Sequence, residues 1–191
     1  MNEASMHHGR HWGGQTVRGW MASEKFRGCR AYWDGAEMWT RGGLRVDLPA
    51  GWRAELPEGR ALDGELWAGR GPENGPAECE ATAAAVHGRF TSRIRFLVFD
   101  APDVLARWPE RMAVAASLVA GAALVRPVGF EPVKSLPHLE ELFARVIRRG
   151  GEGLMLRSPK APAYYEAART GTLLKVKRDP ALSRGLVRFA A

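Results

Sequence analysis

A lysine surrounded by cations stands in the run "EKFRGCR", Glu24–Arg30. Arg27 and Arg30 follow Lys25 within five residues, with Gly28 between them. A lysine amine attacks another group only as the neutral base, and neighbouring cations in a desolvated site favour that form. The run therefore indicates a lysine nucleophile, although a single Lys-x-x-Gly spacing has no specificity by itself.

Three further segments have residues that could work with such a lysine. "LDGELW" has two acids on either side of a glycine, "GGEGLMLR" has Glu152 after a double glycine, and "LLKVKR" has Lys175 and Lys177. Residues two apart on a strand share one face, so the two lysines would point to the same side. Each segment alone is more often structural, so a functional interpretation depends on all of them together and in this order.

The elements that would position these residues are mostly strands. Between Gly19 and Gly69, apolar and aromatic stretches alternate with turns, and Asp34-Gly35 and Gly42-Gly43 are typical of hairpins. The Asp-Gly pair of "LDGELW" falls inside an apolar pattern and predicts a bulge. "SRIRFLVFDAPD", "LVRPVGFEPV", "EGLMLRSP" and "GTLLKVKRDP" each predict one later strand.

Three helices are predicted among these strands. "PAECEATAAAVHGR" has helical composition, and "DVLARWPERMAVAASLVAG" predicts a helix with Asp103 as N-cap and a break or kink at Pro109. "LPHLEELFARVIRRGG" is amphipathic and ends at Gly150. The strands come as hairpins without regular βα alternation, which predicts an α+β fold.

The N-terminal residues 1–16 are expected to form a flexible, solvated tail before a domain over residues 17–191. His7, His8 and His11 could bind a metal, but a solvated tail is the stronger expectation. The tail has no apolar signal region, and no apolar run approaches the length of a membrane span. Two cysteines without zinc spacing predict reduced thiols in the cytoplasm. The net charge of +7 favours polyanionic partners such as nucleic acid.

Taken in order, the segments resemble the motifs of the covalent nucleotidyltransferase superfamily, and among its members the ATP-dependent DNA ligases. "SEKFRGCRAYWDG" is similar to the nucleotidyl-lysine motif, and "TRGG" to the arginine-bearing segment that follows it. "LDGELW", "FLVFDAPD", "EGLMLR" and "LLKVKR" are similar to motifs III, IIIa, IV and V. The resemblance extends from about Trp20 to Arg178. It implies two antiparallel sheets with flanking helices that enclose a nucleotide.

The resemblance implies that Lys25 takes AMP from ATP and passes it to the 5′-phosphate of nicked duplex DNA, for strand joining in repair, recombination or replication. Arg30 and Glu65 would hold the ribose side, Phe99 would stack on adenine, and Mg²⁺ or Mn²⁺ would assist. Glu65 and Glu152 would bind that metal. The nucleotide-binding residues implied are Glu24, Arg30, Arg41, Glu65, Phe99, Glu152, Lys175 and Lys177.

Two departures from the family pattern bear on activity. Arg27 stands where the family has an aspartate that serves the later steps at the nick, so adenylation is expected to survive better than sealing. Only 14 residues follow Lys177, which predicts that the usual OB-fold domain is absent and that a partner would supply it. An RNA ligase or capping-type enzyme, and a degenerate module that binds nucleotide or nucleic acid without catalysis, remain alternatives.

Overall fold

The computed structural model describes residues 6–177 of the chain. These residues cluster into two compact units. Unit 1 comprises Met6, Arg27–Val128 and Pro162–Ala168, and unit 2 comprises His7–Phe26, Gly129–Ala161 and residues 169–177.

The described part of the chain contains eleven strands and four helices. The strands are β1 (His8–His11), β2 (Met21–Lys25), β3 (Cys29–Trp33), β4 (Met38–Thr40), β5 (Arg45–Val46), β6 (Leu62–Trp67), β7 (Arg95–Asp100), β8 (Val125–Pro127), β9 (Phe130–Pro132), β10 (Gly153–Arg157) and β11 (Arg169–Lys177). The helices are α1 (Ala50–Arg53), α2 (Pro76–His87), α3 (Trp108–Leu118) and α4 (Leu136–Arg148).

Unit 1 is built on a six-stranded sheet in the order β5-β4-β3-β6-β7-β8. Every pairing is antiparallel except that of β7 with β8. The predicted hairpin at Asp34-Gly35 is confirmed, because the turn there joins the antiparallel strands β3 and β4. The Asp34 carboxylate stabilises this turn by accepting hydrogen bonds from the backbone N–H groups of Ala36 and Glu37.

The bulge predicted at the Asp-Gly pair of β6 is also confirmed. Asp63 pairs with Asp100 and Gly64 pairs with Val98, so Phe99 is an extra residue in β7. A Cβ on Gly64 would lie 2.6 Å from the carbonyl oxygen of Leu97. Only glycine permits this close approach of β6 and β7.

Helices α2 and α3 confirm two of the predicted helices, and only α3 starts at a different residue from the one predicted. Helix α2 has Pro76 in its first turn and ends at Gly88, which is left-handed. The prediction that Asp103 caps α3 is wrong: the N-cap is Arg107, and Asp103 pairs with Arg60 at 2.7 Å. Pro109 therefore falls in the first turn, where it breaks no helical hydrogen bond and causes no kink.

Unit 2 is built on a five-stranded sheet in the order β1-β11-β10-β2-β9. All pairings are antiparallel except that of β1 with β11. The amphipathic pattern of α4 is confirmed, and its apolar face packs on this sheet. The buried residues of this core are Val17, Ala22, Val133, Leu139, Leu142, Phe143, Leu154, Leu156, Leu174 and Val176.

Part of the segment expected as a loose tail is ordered, because residues 8–11 form β1. Its backbone pairs with β11, an interaction that does not require an apolar sequence. His7 is buried and satisfied by polar partners, since its Nε2 lies 2.8 Å from Thr170 Oγ1 and its Nδ1 lies 3.3 Å from Arg157. Within residues 6–177 no group of three or more His, Cys, Asp or Glu side chains is arranged to hold a metal.

The segment predicted as one strand, "LVRPVGFEPV", forms two strands in different sheets. β8 ends at Pro127, which lacks the N–H that a ladder needs, and β9 begins at Phe130. The α+β fold with two sheets and flanking helices is confirmed, with one parallel pair added to each sheet. No helix between residues 6 and 177 is both long enough and apolar enough to cross a membrane.

Candidate functional site

The predicted nucleophile ends strand β2 in unit 2, and a carboxylate bridges it to a second lysine. Lys25 Nζ donates to Glu152 Oε2 at 2.6 Å, and Lys177 Nζ lies 2.6 Å from Glu152 Oε1. The side chain of Glu152 is 8% exposed, against 21% for Lys25 and 35% for Lys177. One nearly buried carboxylate thus pairs with both lysines, and a single negative charge faces two positive ones.

Strand pairing explains why these three residues meet. Gly153 is the partner of Lys25 on one side and of Lys177 on the other, so the three lie in one row across the sheet. Gly153 has φ 152°, and a Cβ there would overlap the carbonyl oxygen of Val176. Glycine at this position therefore allows Glu152 to sit between the two lysines.

The lysines hold Glu152 in its charged form. Burial alone would raise the pKa of Glu152, but hydrogen bonds from Lys177 and Lys25 outweigh it and lower the pKa below its ordinary value. Burial and the charges of Lys177 and Arg169 lower the pKa of Lys175. Lys175 lies two residues from Lys177 on β11 and so shares its face, as predicted. Lys25, Glu152, Lys175 and Lys177 are called the lysine set below.

Glu24 is separated from the lysine set. It precedes Lys25 on β2, so strand alternation turns its side chain to the opposite face. Its cross-strand partner is Leu154, a core residue beneath α4. A Cβ on Gly151 would lie 2.9 Å from Glu24 Oε1, which places the carboxylate against the turn that precedes Glu152.

A second group of predicted residues lies in unit 1, around a buried ion pair. Arg30 Nε donates to Asp63 Oδ1 at 2.8 Å, and a second guanidinium nitrogen donates to Asp63 Oδ2 at 2.6 Å. The guanidinium carbon lies 4.8 Å from the centroid of the Phe99 ring. Burial opposes the Arg30 charge, but the pair with Asp63 outweighs it and raises the pKa of the guanidinium.

Glu65 and Arg41 lie next to this pair. Glu65 is the cross-strand partner of Arg30, and its Oε1 accepts from the Gly28 N–H at 3.1 Å. The Arg41 N–H donates to the carbonyl of Arg30 at 3.2 Å. Arg30, Asp63, Glu65 and Phe99 are called the arginine set below.

Cys29, which follows Gly28, is not a competing nucleophile. Burial and the nearby Glu65 charge raise the pKa of its thiol to about 11. A thiol with this pKa has almost no thiolate at neutral pH. Arg27, the departure from the family pattern, is half-buried and lies just before Gly28 in unit 1.

Glu65 and Glu152 do not form a preformed metal site with the described residues around them. They belong to different units, and neither joins two other acidic, His or Cys side chains within residues 6–177. Both oxygens of Glu152 already accept from lysines. This donor set does not fit a resident Mg²⁺.

Two residues at this buried ion pair could not be identified as site residues from the sequence. In the sequence Asp63 is only one of two acids beside a glycine, and its pairing with Arg30 follows from the diagonal position of the two residues across β3 and β6. Tyr165 donates to Asp63 Oδ2 at 2.6 Å across 102 residues of sequence. No local pattern could have indicated that contact.

Comparison with known proteins gives relatives of one kind. A DNA ligase from Haemophilus influenzae is 34% identical over 165 residues, which is 85% of this chain and 59% of the relative. The chain thus spans about three fifths of that relative's length. No family model matches the chain.

Two solved structures have a similar fold, and the first of them is also similar in sequence. One, from a structure–function study of Lig E DNA ligases and DNA binding with a minimal scaffold, is 30% identical, with a TM-score of 0.77 over 91% of this chain and 68% of the other. Chlorella virus DNA ligase-adenylate shares the fold at 21% identity, with a TM-score of 0.70 over 91% of this chain and 67% of the other. The chain belongs to the ATP-dependent DNA ligases and corresponds to their nucleotidyltransferase, or adenylation, domain.

Proposed function

We propose that the chain transfers AMP from ATP to Lys25, as the first step of DNA strand joining. The observation that supports this most directly is the bridge from Lys25 through Glu152 to Lys177, with Lys175 on the same strand face as Lys177. This arrangement brings together the proposed nucleophile Lys25, a carboxylate, Glu152, that can take its proton, and two lysines that can pair with phosphate oxygens.

The step begins with a proton on the Lys25 amine. Glu152 Oε2, 2.6 Å away, holds the ammonium and is placed to take this proton. The neutral Nζ then attacks the α-phosphorus of ATP. A nitrogen–phosphorus bond forms, the bond from the α-phosphorus to the bridging oxygen breaks, and pyrophosphate leaves with that electron pair.

Lys177 and Lys175 would neutralise the triphosphate. Positive groups that already point to the transferred phosphoryl group stabilise its transition state without reorganisation. Binding of ATP would draw Lys177 from Glu152 towards a phosphate oxygen, and Glu152 would then be a better acceptor for the Lys25 proton. Mg²⁺ or Mn²⁺ would arrive bound to the triphosphate, as part of the substrate.

The arginine set would bind the adenosine. Arg30 and Glu65 supply a fixed donor and acceptor for the ribose side, and Phe99 offers an aromatic ring to adenine. Arg41 lies beside Arg30 and would extend the same surface. The ligase-adenylate state of the Chlorella virus relative supports a covalent AMP intermediate.

We propose nicked duplex DNA as the second substrate. AMP would pass from Lys25 to the 5′-phosphate, and attack by the 3′-hydroxyl would then release AMP and join the strands. This activity would serve DNA repair, recombination or replication. Arg27 would slow the joining steps, and an OB-fold partner would strengthen the grip on the duplex.

The choice of nucleotide tests the proposal. The protein is incubated separately with ATP, GTP and NAD in the presence of Mg²⁺, and its intact mass is measured. We expect one AMP adduct with ATP and little or none with the others, and reversal of the adduct when pyrophosphate is added. Equal labelling by GTP would favour a capping-type enzyme, and no adduct with any nucleotide would favour a non-catalytic module.

A further inference from the structure

The Asp63 carboxylate is a buried junction between two parts of unit 1. It is fully buried and accepts both hydrogen bonds of the Arg30 ion pair. Its Oδ2 also accepts from the Tyr165 hydroxyl at 2.6 Å. Oδ2 thus receives one donor from each side.

Tyr165 reaches this junction from the segment 162–168, which belongs to unit 1. Its neighbour Tyr164 is 56% exposed, whereas Tyr165 is half-buried. The two side chains therefore differ in environment although they are adjacent and identical. This difference offers a matched comparison within a single segment.

We propose that Tyr165 is a positioning residue for Arg30. We also propose that it thereby increases the preference for ATP over its deoxyribose analogues. A carboxylate held by one arginine alone can turn about its last side-chain bond, and the guanidinium turns with it. The Tyr165 hydroxyl fixes Oδ2, and so keeps the guanidinium plane of Arg30 over Phe99. Hydrogen bonds to an ionised group are directional and strong enough to decide such an orientation.

The functional part of this inference rests on the proposed role of Arg30 at the ribose of ATP. A guanidinium in one fixed orientation can hydrogen-bond a ribose hydroxyl, and it loses that bond when the nucleotide is a deoxy analogue. A guanidinium with several orientations makes that contact less often. Loss of the Tyr165 hydroxyl should therefore weaken the binding of ATP more than the binding of a deoxy analogue.

The test compares Tyr165→Phe with Tyr164→Phe, using adenylation kinetics with ATP, 2′-deoxyATP and 3′-deoxyATP. We expect Tyr165→Phe to raise KM for ATP by about tenfold, the effect of one hydrogen bond to a charged group, with little change in kcat. Its preference for ATP over at least one deoxy analogue should fall by a similar factor. Tyr164→Phe should match the wild type throughout.

A second readout does not depend on catalysis. Hydrogen exchange of the Arg30 Nε–H, followed by NMR, should be slow in the wild type and in Tyr164→Phe and faster in Tyr165→Phe. If no protein forms an adduct, the proposed function fails, and this exchange rate still decides whether Tyr165 positions Arg30. An unchanged exchange rate, or a raised KM with the ATP preference intact, would overturn the inference.

Discussion

Glu152 is the residue on which the proposed chemistry of the lysine set depends. In the structure its two carboxylate oxygens accept hydrogen bonds from Lys25 and Lys177 at once, so the two lysines share one partner. Phosphate binding at Lys177 would change this balance. The same contacts make Glu152 a source of pH-dependent stability.

Acid should weaken the fold partly through Glu152. Its pKa is lower in the folded protein than the ordinary 4.5, so its contribution is complete above that pH and is lost as the pH falls further. One such group changes the free energy of unfolding by at most about 1.4 kcal/mol per pH unit. Urea unfolding of the wild type should show this loss below pH 4.5, and Glu152→Gln should show less of it. Parallel pH curves for the two proteins would contradict the assignment.

Arg27 should separate adenylation from sealing. Arg27→Asp restores an acid that can serve the 3′-hydroxyl or the substrate metal, so sealing of a pre-adenylated nick should be faster by on the order of tenfold. Single-turnover assays of the chain fused to an OB-fold domain would measure this. Arg89→Asp, an exposed site in the same unit, controls for the charge change. Equal sealing by the wild type and Arg27→Asp would mean that Arg27 is tolerated.

Site residues that stand in short motifs could be predicted from the sequence. Residues whose role depends on a contact with a distant part of the chain could not. Lys25, Glu152 and Lys177 stand in short segments whose types and spacing suit nucleotidyl transfer. Asp63 gave only an ambiguous turn signal. Tyr165 lies outside every motif, because its contact depends on the path of the segment 162–168 and not on its composition.

At the scale of elements, the start of β3 depends on Gly28. A Cβ there would overlap the carbonyl oxygen of Leu66 on β6. Gly28→Ala should therefore destabilise the protein by roughly 1–3 kcal/mol, and reduce adenylation by displacing Arg30 and Glu65. Gly51→Ala is the matched control, since a Cβ on this helical glycine meets nothing within 4 Å and alanine favours helix. Chemical denaturation should show Gly51→Ala at or above wild-type stability, and equal values for the two variants would contradict this account.

Elements with a strong periodic pattern could be predicted, and elements defined by partners could not. Helix α4 follows from its apolar spacing, which the core beneath it confirms. The start of α3 could not be predicted, because Asp103 is used by Arg60 instead of capping the helix. Strand β1 has a polar sequence and exists through backbone pairing with β11.

For the whole molecule, the net charge of +7 predicts that the binding of DNA depends on salt concentration. Cations that contact phosphates release counterions, so log K should fall with log salt by about 0.9 for each phosphate contacted. Fluorescence anisotropy with a nicked duplex, measured over a series of salt concentrations, would give this slope. We expect weak binding that falls steeply with salt. Tight binding that does not change with salt would contradict an electrostatic contact.

The position of the AMP on the protein decides whether Lys25 is the nucleophile. After incubation with ATP and Mg²⁺, the protein is digested and its peptides are sequenced by mass spectrometry. We expect AMP on Lys25, loss of the adduct in Lys25→Ala, and its retention in Lys160→Ala, where an exposed lysine is removed. AMP on Lys175 or on any other residue, or an adduct that persists in Lys25→Ala, would contradict it.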